Sequence, residues 1–415
     1  MVKYSAITII GAGPAGQVAS LFLAKKGIKA LLVDKGEHPR VKACADIVGG
    51  QAVRILHEID PELVLQTDFA SKYQAIKGTL VHTPNGRSLN IPFVKLKNIE
   101  HLPTCIAMPR IEFDNVLHEK IMATGMIDYL PNTAISNWQK DVNTKEWLLL
   151  DVKKEPIIRT KLLIIATGSS ASLPFTVGNL ARDDKHTALG IRGYFTNVTN
   201  STMPDYGEMF FMEKLMPGGL YIGPFNNGLA NVNIVMRSDM VKKSGHNLNA
   251  LFWDAVNTHP ILKERFKHAE QVGKLEGCAL HLGTKKRPIS GEGYMLAGDA
   301  GGLIDLISGN GIPQAMISGK IAAEQAAIAL AQNDFSAAML KAYDHKVYKK
   351  IDDSLKLSRL MAPAMGSRFF PKLILKWLNF ITTRKNAEAQ LGLLLNTKTI
   401  TAHLLNPMFY WKFLR

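Results

Sequence analysis

The sequence predicts an α/β fold: a parallel-sheet domain, a mostly antiparallel sheet inserted into it, and a helical C-terminal tail. Three observations carry this. Tyr4–Ile10 is a short apolar run closed by Gly11, the pattern of a strand buried on both faces. Residues 73–103 and 185–285 switch to short polar–apolar alternation, the pattern of strands with one covered face. Beyond residue 333 the chain turns helical, basic and aromatic.

Taken in order, Pro14–Lys26 reads as a helix whose apolar face is Val18, Leu21, Phe22 and Leu23, with Gly27 at its end. Lys29–Val33 is a second buried strand. Strand, glycine turn, helix and strand within about 30 residues make a βαβ unit of Rossmann type. A helix is expected over Ile111–Thr124, and Leu162–Ile165 is a third buried strand. Alternating strands follow at Gly190–Phe195, Glu208–Glu213, Leu220–Phe225 and Ala230–Met236, with a helical stretch over 247–266. Met295–Ala297 is one more strand, and Pro313–Ala331 a long helix. The predicted organisation is a discontinuous nucleotide domain (1–72, 104–184 and 286–332), a sheet domain in two insertions (73–103 and 185–285), and a basic helical region (333–415).

Composition narrows the class. The 415 residues are 47% hydrophobic and 20% charged, which fits a globular protein with a sizeable core. The net charge of +15 is uneven: Lys341–Arg415 holds 14 Lys/Arg against 4 Asp/Glu. That field favours an anionic partner, whether a lipid surface, a phosphorylated substrate or an acidic electron-transfer protein. No nucleic-acid recognition module is present. Three scattered cysteines (Cys44, Cys105, Cys278) exclude a disulfide framework and a zinc site, and the dispersed histidines offer no metal cluster. With no signal-peptide pattern and no apolar run of roughly 20 residues, the expected setting is cytoplasmic, with peripheral contact at the inner membrane face.

The chemistry sits in glycine turns. Gly11-Ala12-Gly13-Pro14-Ala15-Gly16 joins strand to helix as G-x-G-x-x-G. Gly11 permits the turn, Gly13 lets a pyrophosphate approach the backbone, and Gly16 lets the helix pack on the strand. The helix N-terminus then offers free N–H groups to phosphates. Asp34, with Lys35 beside it, ends the second strand where a carboxylate accepts from ribose hydroxyls. This motif alone serves FAD and NAD equally. A second turn, Leu296-Ala297-Gly298-Asp299-Ala300-Gly301-Gly302, places a carboxylate for a flavin ribityl chain. After Ser308-Gly309-Asn310-Gly311, Ile312-Pro313 opens a helix whose N–H groups could stabilise negative charge on a reduced flavin ring.

With these residues in order, the sequence resembles the geranylgeranyl reductase family, within the larger group that includes para-hydroxybenzoate hydroxylase. The resemblance spans roughly residues 5–330. It rests on GAGPAG at 11–16, Arg40 and Lys42-Ala43-Cys44, Arg110-x-x-Phe113-Asp114, Ala166-Thr167-Gly168, Pro217-Gly218-Gly219, and Gly298–Gly302. The last segment is Ser308–Ile312, with Asn310 in place of the family's glutamate. The resemblance implies an FAD enzyme in which Arg110 contacts the phosphate and ribityl region and Asp299 the ribityl hydroxyls. It also implies that Cys44 and Ala45 lie near the isoalloxazine, with Cys44 the catalytic candidate. Where the family carries a Cys-Gly-Gly-like stretch, this chain reads Cys44-Ala45-Asp46. Where isoprenoid reductases carry Tyr-x-Trp-x-Phe-Pro, it reads Leu220-Tyr221-Ile222-Gly223-Pro224-Phe225, so Tyr221, Pro224 and Phe225 are the expected cavity wall.

The implied function is reduction of carbon–carbon double bonds in a hydrophobic isoprenoid, lipid or polyene, by hydride transfer from reduced flavin N5. NAD(P)H or a reduced carrier would be a transient donor, since no second nicotinamide fold is present. Two alternatives stay open: a monooxygenase using a flavin hydroperoxide on an aromatic or polyene, and a non-catalytic flavin or lipid carrier at a membrane. The tail bears on the choice. A helix from Pro371 would line Phe370, Ile374, Trp377, Leu378 and Ile381 on one side, with Lys372, Lys376 and Asn379 opposite. Met408–Phe413 adds further aromatics, so 368–415 is the expected contact with anionic lipid.

Overall fold

The computed structural model describes residues 2–169, 177, 183–199, 201–245, 247–367, 369–384 and 388. The Tyr4–Ile10 run lies within a strand, Lys3–Ile10, paired in parallel with Pro156–Ile165 on one side and Ala30–Val33 on the other. Ala30–Val33 pairs onward with Ile127–Leu130, and Pro156–Ile165 with Tyr294–Leu296. Ile7, Ile9, Leu32, Leu162 and Ile164 are fully buried, as a parallel sheet covered on both faces requires. The helices Pro14–Lys25 and Ile312–Ala331 pack against this sheet and share its core.

The second body is a seven-stranded sheet. Its order runs Glu270–His281, Thr187–Thr196, Ala230–Arg237, Gly218–Pro224, Tyr206–Phe210, Gly78–His82, Ser88–Pro92. All neighbours are antiparallel except Tyr206–Phe210 with Gly78–His82, where the two insertions join. One face carries Phe195, Phe210, Leu220, Ile222, Val232 and Ile234 against the helix Leu248–Thr258. A three-stranded sheet of Ile47–Val48, Ile106–Ala107 and Gln74–Ala75 lies between the two bodies.

Several boundaries moved, for local reasons. The 247–266 helix splits into Leu248–Thr258 and Pro260–Arg265, because Pro260 lacks an N–H and holds His259 extended at φ −72°, ψ 126°. The strand expected over Glu208–Glu213 ends at Phe210, before a 3₁₀ turn at Glu213–Leu215. Strands at Ile127–Leu130, Asn137–Lys140, Trp147–Leu150 and Glu270–His281 went unpredicted; the last lies at a sheet edge and its exposure does not alternate.

The tail folds back on the body. Ser336 caps the helix Ala337–Met365, accepting from the Met339 N–H at 3.2 Å. Tyr343 within it is fully buried and donates to the Leu296 carbonyl at 2.7 Å. The helix Phe370–Ile381 seats Leu375, Leu378 and Ile381, with Ile374 and Trp377, on Val81, Leu89, Ile91 and Met216. The face expected to enter a membrane is therefore largely spent on the sheet. Phe369, Leu373 and Phe380, on another side, remain exposed at 85%, 60% and 42%. Met408–Phe413 lies outside the described residues. No helix among the described residues is long and apolar enough to cross a membrane.

Candidate active site

One side of the candidate site is backbone. Gly11 sits at φ +105°, and a Cβ there would meet the Ala166 carbonyl oxygen at 2.4 Å. A Cβ on Gly16 would lie 1.9 Å from the Gly11 oxygen, so the first helix can start here only with glycine. A Cβ on Gly13 would meet nothing within 4 Å: the space in front of it is open. Pro14 opens the helix, Ala15 follows, and no side chain caps its N-terminus, leaving first-turn amides for an anion.

Asp34, 5% exposed, holds this turn in place. Its Oδ2 accepts from the Ala12 N–H at 2.6 Å and from Arg40 at 3.0 Å, and its Oδ1 from the Gly36 N–H at 2.8 Å. The predicted ribose acceptor thus also clips the glycine turn to the strand end. Lys35 beside it is exposed. His38 contacts the Ala12 carbonyl at 2.8 Å and stacks on His118 at 4.9 Å; burial holds both imidazoles below the ordinary histidine value.

The far end gathers the remaining predicted residues. Gly298 and Asp299 form a 3₁₀ turn directly after the strand Tyr294–Leu296 and Ala297. The Asp299 Oδ1 lies 3.7 Å from where a Cβ on Gly311 would stand, and the Asn310 Oδ1 3.7 Å from the same point on Gly49. The helix starting at Ile312 has Gly311 at its N-cap and no side-chain cap, a second bare helix terminus; Gly309 before it is left-handed at φ +67°. Beside the Gly298–Asp299 turn, at the end of the neighbouring strand, Ala166 is buried, the Thr167 hydroxyl is buried without a protein partner, and the Lys42 ammonium lies 3.2 Å from the Cβ position of Gly168. An open cradle at Gly13, two uncapped helix ends and an unpartnered hydroxyl fit a long cofactor carrying phosphates at one end and hydroxyls along its length.

Arg110 is 4% exposed and gives a bidentate pair to Asp114 at 2.7 and 2.6 Å. Its charge also acts on the nearby Cys44 thiol. Burial pushes that thiol up, and the Arg110 charge opposes the shift. A surface ion pair would be worth little; this buried one holds the helix start.

The other wall is made of side chains. Asp46 is fully buried at φ +61°, left-handed and uncommon for a residue with a Cβ. Its Oδ2 accepts from the Tyr194 hydroxyl at 2.6 Å and from the Asn231 amide at 2.8 Å. Asn231 also donates to the Cys44 carbonyl at 2.8 Å, and Asn233 to Asn231 at 3.2 Å. Arg192 lies over the Tyr194 ring at 4.0 Å and pairs with Glu276 at 2.7 Å. Burial raises the Asp46 carboxyl to about 6 despite these donors and the arginines. Cys278 joins this side: burial lifts its thiol to about 11, Cys44 and Asp299 add to the shift, and Lys42 opposes it. Sequence reasoning named Asp46 only as a departure and missed Tyr194, Asn231, Arg192 and Cys278.

The expected cavity wall is mixed. Tyr221 is half-buried and packs over Gly207, and Gly223 abuts Ile47 and the Ala45 carbonyl, so this strand does reach the Cys44–Ile47 segment. Pro224 is half-buried. Phe225, 6% exposed, packs with Ile76, Cys105 and Ala107 between the sheets.

The fold and this arrangement define a flavin-type oxidoreductase scaffold, and comparison with known proteins gives the family. The family model described as "FAD binding domain" matches residues 4–346. The chain belongs to that family of FAD-dependent oxidoreductases, and it is similar to proteins of the geranylgeranyl reductase type. It is 27% identical over 399 residues to a digeranylgeranylglycerophospholipid reductase of Methanocaldococcus jannaschii, covering 91% of this chain and 95% of the relative. A solved geranylgeranyl bacteriochlorophyll reductase-like protein from Thermoplasma acidophilum superposes with a TM-score of 0.78 at 21% identity, covering 97% and 99% of the two chains. The flavin-dependent brominase Bmp2 has the same fold, with a TM-score of 0.74 at 20% identity and full coverage of both chains.

Proposed function

We propose that this protein reduces carbon–carbon double bonds in the isoprenoid chains of a lipid. The observation that carries the reading is the near end-to-end match to a reductase named for such a lipid. Bound FAD supplies a hydride acceptor and donor. The chain's part is to hold the cofactor's phosphates on the Gly11–Gly16 turn, place Cys44 and Ala45 beside the reactive region, and keep water out with the buried sheet wall. Asp34, Arg40, Arg110, Thr167, Asp299 and Asn310 are the proposed cofactor contacts, and Tyr221 and Pro224 the proposed substrate contacts. Exposed Phe369, Leu373 and Phe380, beside Lys372 and Lys376, are the proposed contact with an anionic lipid surface.

The test is anaerobic photoreduction of the holoprotein, then rapid mixing with a geranylgeranylated glycerolipid in detergent and, separately, with oxygen. Fast reoxidation by the lipid with saturated product supports the reading; no reoxidation by lipid removes it. The second reading is oxygenation or halogenation, favoured by the match to a pyrrole-carrier chlorinase of Pseudomonas fluorescens, 24% identical over 361 residues. It predicts oxygen consumption coupled to a hydroxylated or halogenated aromatic. NAD(P)H or a reduced carrier protein would supply the electrons in either case.

A further inference from the structure

Asp46 occupies a position where the resembling family carries glycine, and its geometry gives a reason for the carboxyl. Both groups that touch Oδ2, the Tyr194 hydroxyl and the Asn231 amide, come as donors. A proton on this carboxyl therefore belongs on Oδ1, which is buried and has no protein partner. The residue is held left-handed, a strain that tends to persist at sites where the surroundings over-determine the backbone. Its backbone carbonyl accepts from the Met108 N–H at 3.0 Å, and Asn231 grips the Cys44 carbonyl two residues earlier. The carboxyl is thus fixed between the cysteine segment and the substrate sheet, with one oxygen uncommitted.

We propose that Asp46 is the acid that completes double-bond reduction, giving its Oδ1 proton to the second alkene carbon. This rests on the reductase reading above. The balance is simple: the π bond breaks, one carbon receives hydride from the reduced cofactor and the other receives the Asp46 proton. Two C–H bonds form, the cofactor is oxidised, and Asp46 is left as carboxylate. NAD(P)H or a reduced carrier restores the hydride, and water restores the proton after product leaves. The groups facing the carboxyl are Tyr194 and Arg192 from one strand, Asn231 from the next, Arg110 from its helix, and Cys44 from its own segment, with Glu276 behind Arg192. Burial outweighs the two arginines and the donors, so the acid form is populated up to about pH 6, within reach of neutral pH.

The experiment uses flavin-loaded full-length protein. Lipid-driven reoxidation should fall as pH rises above about 6 in the wild type. In Asp46→Asn it should be slower by about 100-fold, the lower range of general-acid effects, and lose that pH dependence. Oxygen-driven reoxidation serves as the control for flavin loading. Infrared difference spectra of the oxidised holoprotein should show a protonated carboxyl that titrates in the same range and is missing in the variant. Tyr194→Phe removes a donor that favours the carboxylate, so both the kinetic and infrared inflections should move up. An Asp46→Asn enzyme with the wild-type rate and pH profile overturns the proposal. Should that variant fail to fold or hold flavin, an unmoved inflection in Tyr194→Phe overturns it instead. A wild type that no polyprenyl lipid reoxidises removes the reductase reading, and the role of Asp46 with it.

Discussion

The two sides of the candidate site are built by different means. The nucleotide-domain wall offers mainly backbone: glycine turns, two uncapped helix starts, and Asp34 spent largely on holding a loop. The other wall offers side chains locked into one another, joining Asp46 of the nucleotide domain to Tyr194, Asn231, Arg192 and Glu276 of the substrate sheet. A backbone site tolerates change around it but none at its glycines. A side-chain network can be edited one group at a time, each edit changing the hydrogen bonds and charges its neighbours feel. The first wall therefore suits a cofactor shared across many reactions, and the second suits the step that distinguishes one reaction from another.

The sharpest way to break the comparison is at two glycines three residues apart. Gly16→Ala would put a Cβ 1.9 Å from the Gly11 oxygen, a backbone atom that cannot give way without opening the turn. Loss of soluble folded protein is expected, read by yield and circular dichroism. Gly13→Ala meets nothing within 4 Å and should fold as the wild type does. If the open space is the pyrophosphate site, FAD affinity should nonetheless drop by about 100-fold, or ~2.7 kcal/mol, read by flavin fluorescence titration. Equal FAD affinity in Gly13→Ala would move the phosphate site elsewhere.

Next in size is the buried Arg110–Asp114 pair at the start of its helix. Asp114→Ala strands a guanidinium that is 4% exposed, and removing one partner of a buried pair costs about 3–5 kcal/mol. Urea denaturation should read a loss in that range; a change below about 1 kcal/mol would mean the pair behaves like a surface one.

These contrasts also explain what was legible in the sequence. Gly11–Gly16, Asp34, Gly298–Asp299 and Gly309–Gly311 are local: each motif is contiguous, and its residue types follow from backbone geometry that must occur there. The βαβ order and the two sheet insertions were legible from apolar runs and alternation for the same reason. Asp46–Tyr194 and Asp46–Asn231 join residues 148 and 185 positions apart, and no period or spacing announces such a pairing. The tail misled in a related way. Its amphipathic pattern was real, but an apolar face looks the same whether its partner is lipid or Val81, Leu89 and Ile91.

Asp46 gives a smaller and opposite effect on stability. Its carboxyl is raised from 3.8 to about 6 by burial, so between those values the unfolded chain releases a proton that the folded one keeps. The group therefore weakens the fold progressively as pH rises through that window, by up to about 3 kcal/mol above it, at 1.36 kcal/mol per unit. Asp46→Asn keeps an amide of the same shape and tolerates positive φ. It should be more stable than the wild type at pH 8 by up to about that amount, with the difference gone below pH 4. A variant that gains stability while losing lipid reduction would mark the carboxyl as kept for chemistry. A variant less stable at both pH values would instead make Asp46 part of the scaffold.

The smallest expected effect on the fold lies on the outer side of the helix Phe370–Ile381. Phe369, Leu373 and Phe380 are exposed, so changing all three to Ser should move stability by no more than about 0.5 kcal/mol per site. The inner residue Leu378, 6% exposed against Val81 and Leu89, should cost about 2–5 kcal/mol as Leu378→Ala. If the outer face meets lipid, the triple variant should lose most of its sedimentation with anionic vesicles while keeping FAD and its melting temperature. The residual binding should weaken with salt, because Lys376 and Lys372, the latter paired with Glu213 at 2.8 Å, stay exposed beside that face. Unchanged sedimentation would place any lipid contact elsewhere. The helix would then serve the molecule through its inner face alone, as a brace on the outer strands of the substrate sheet.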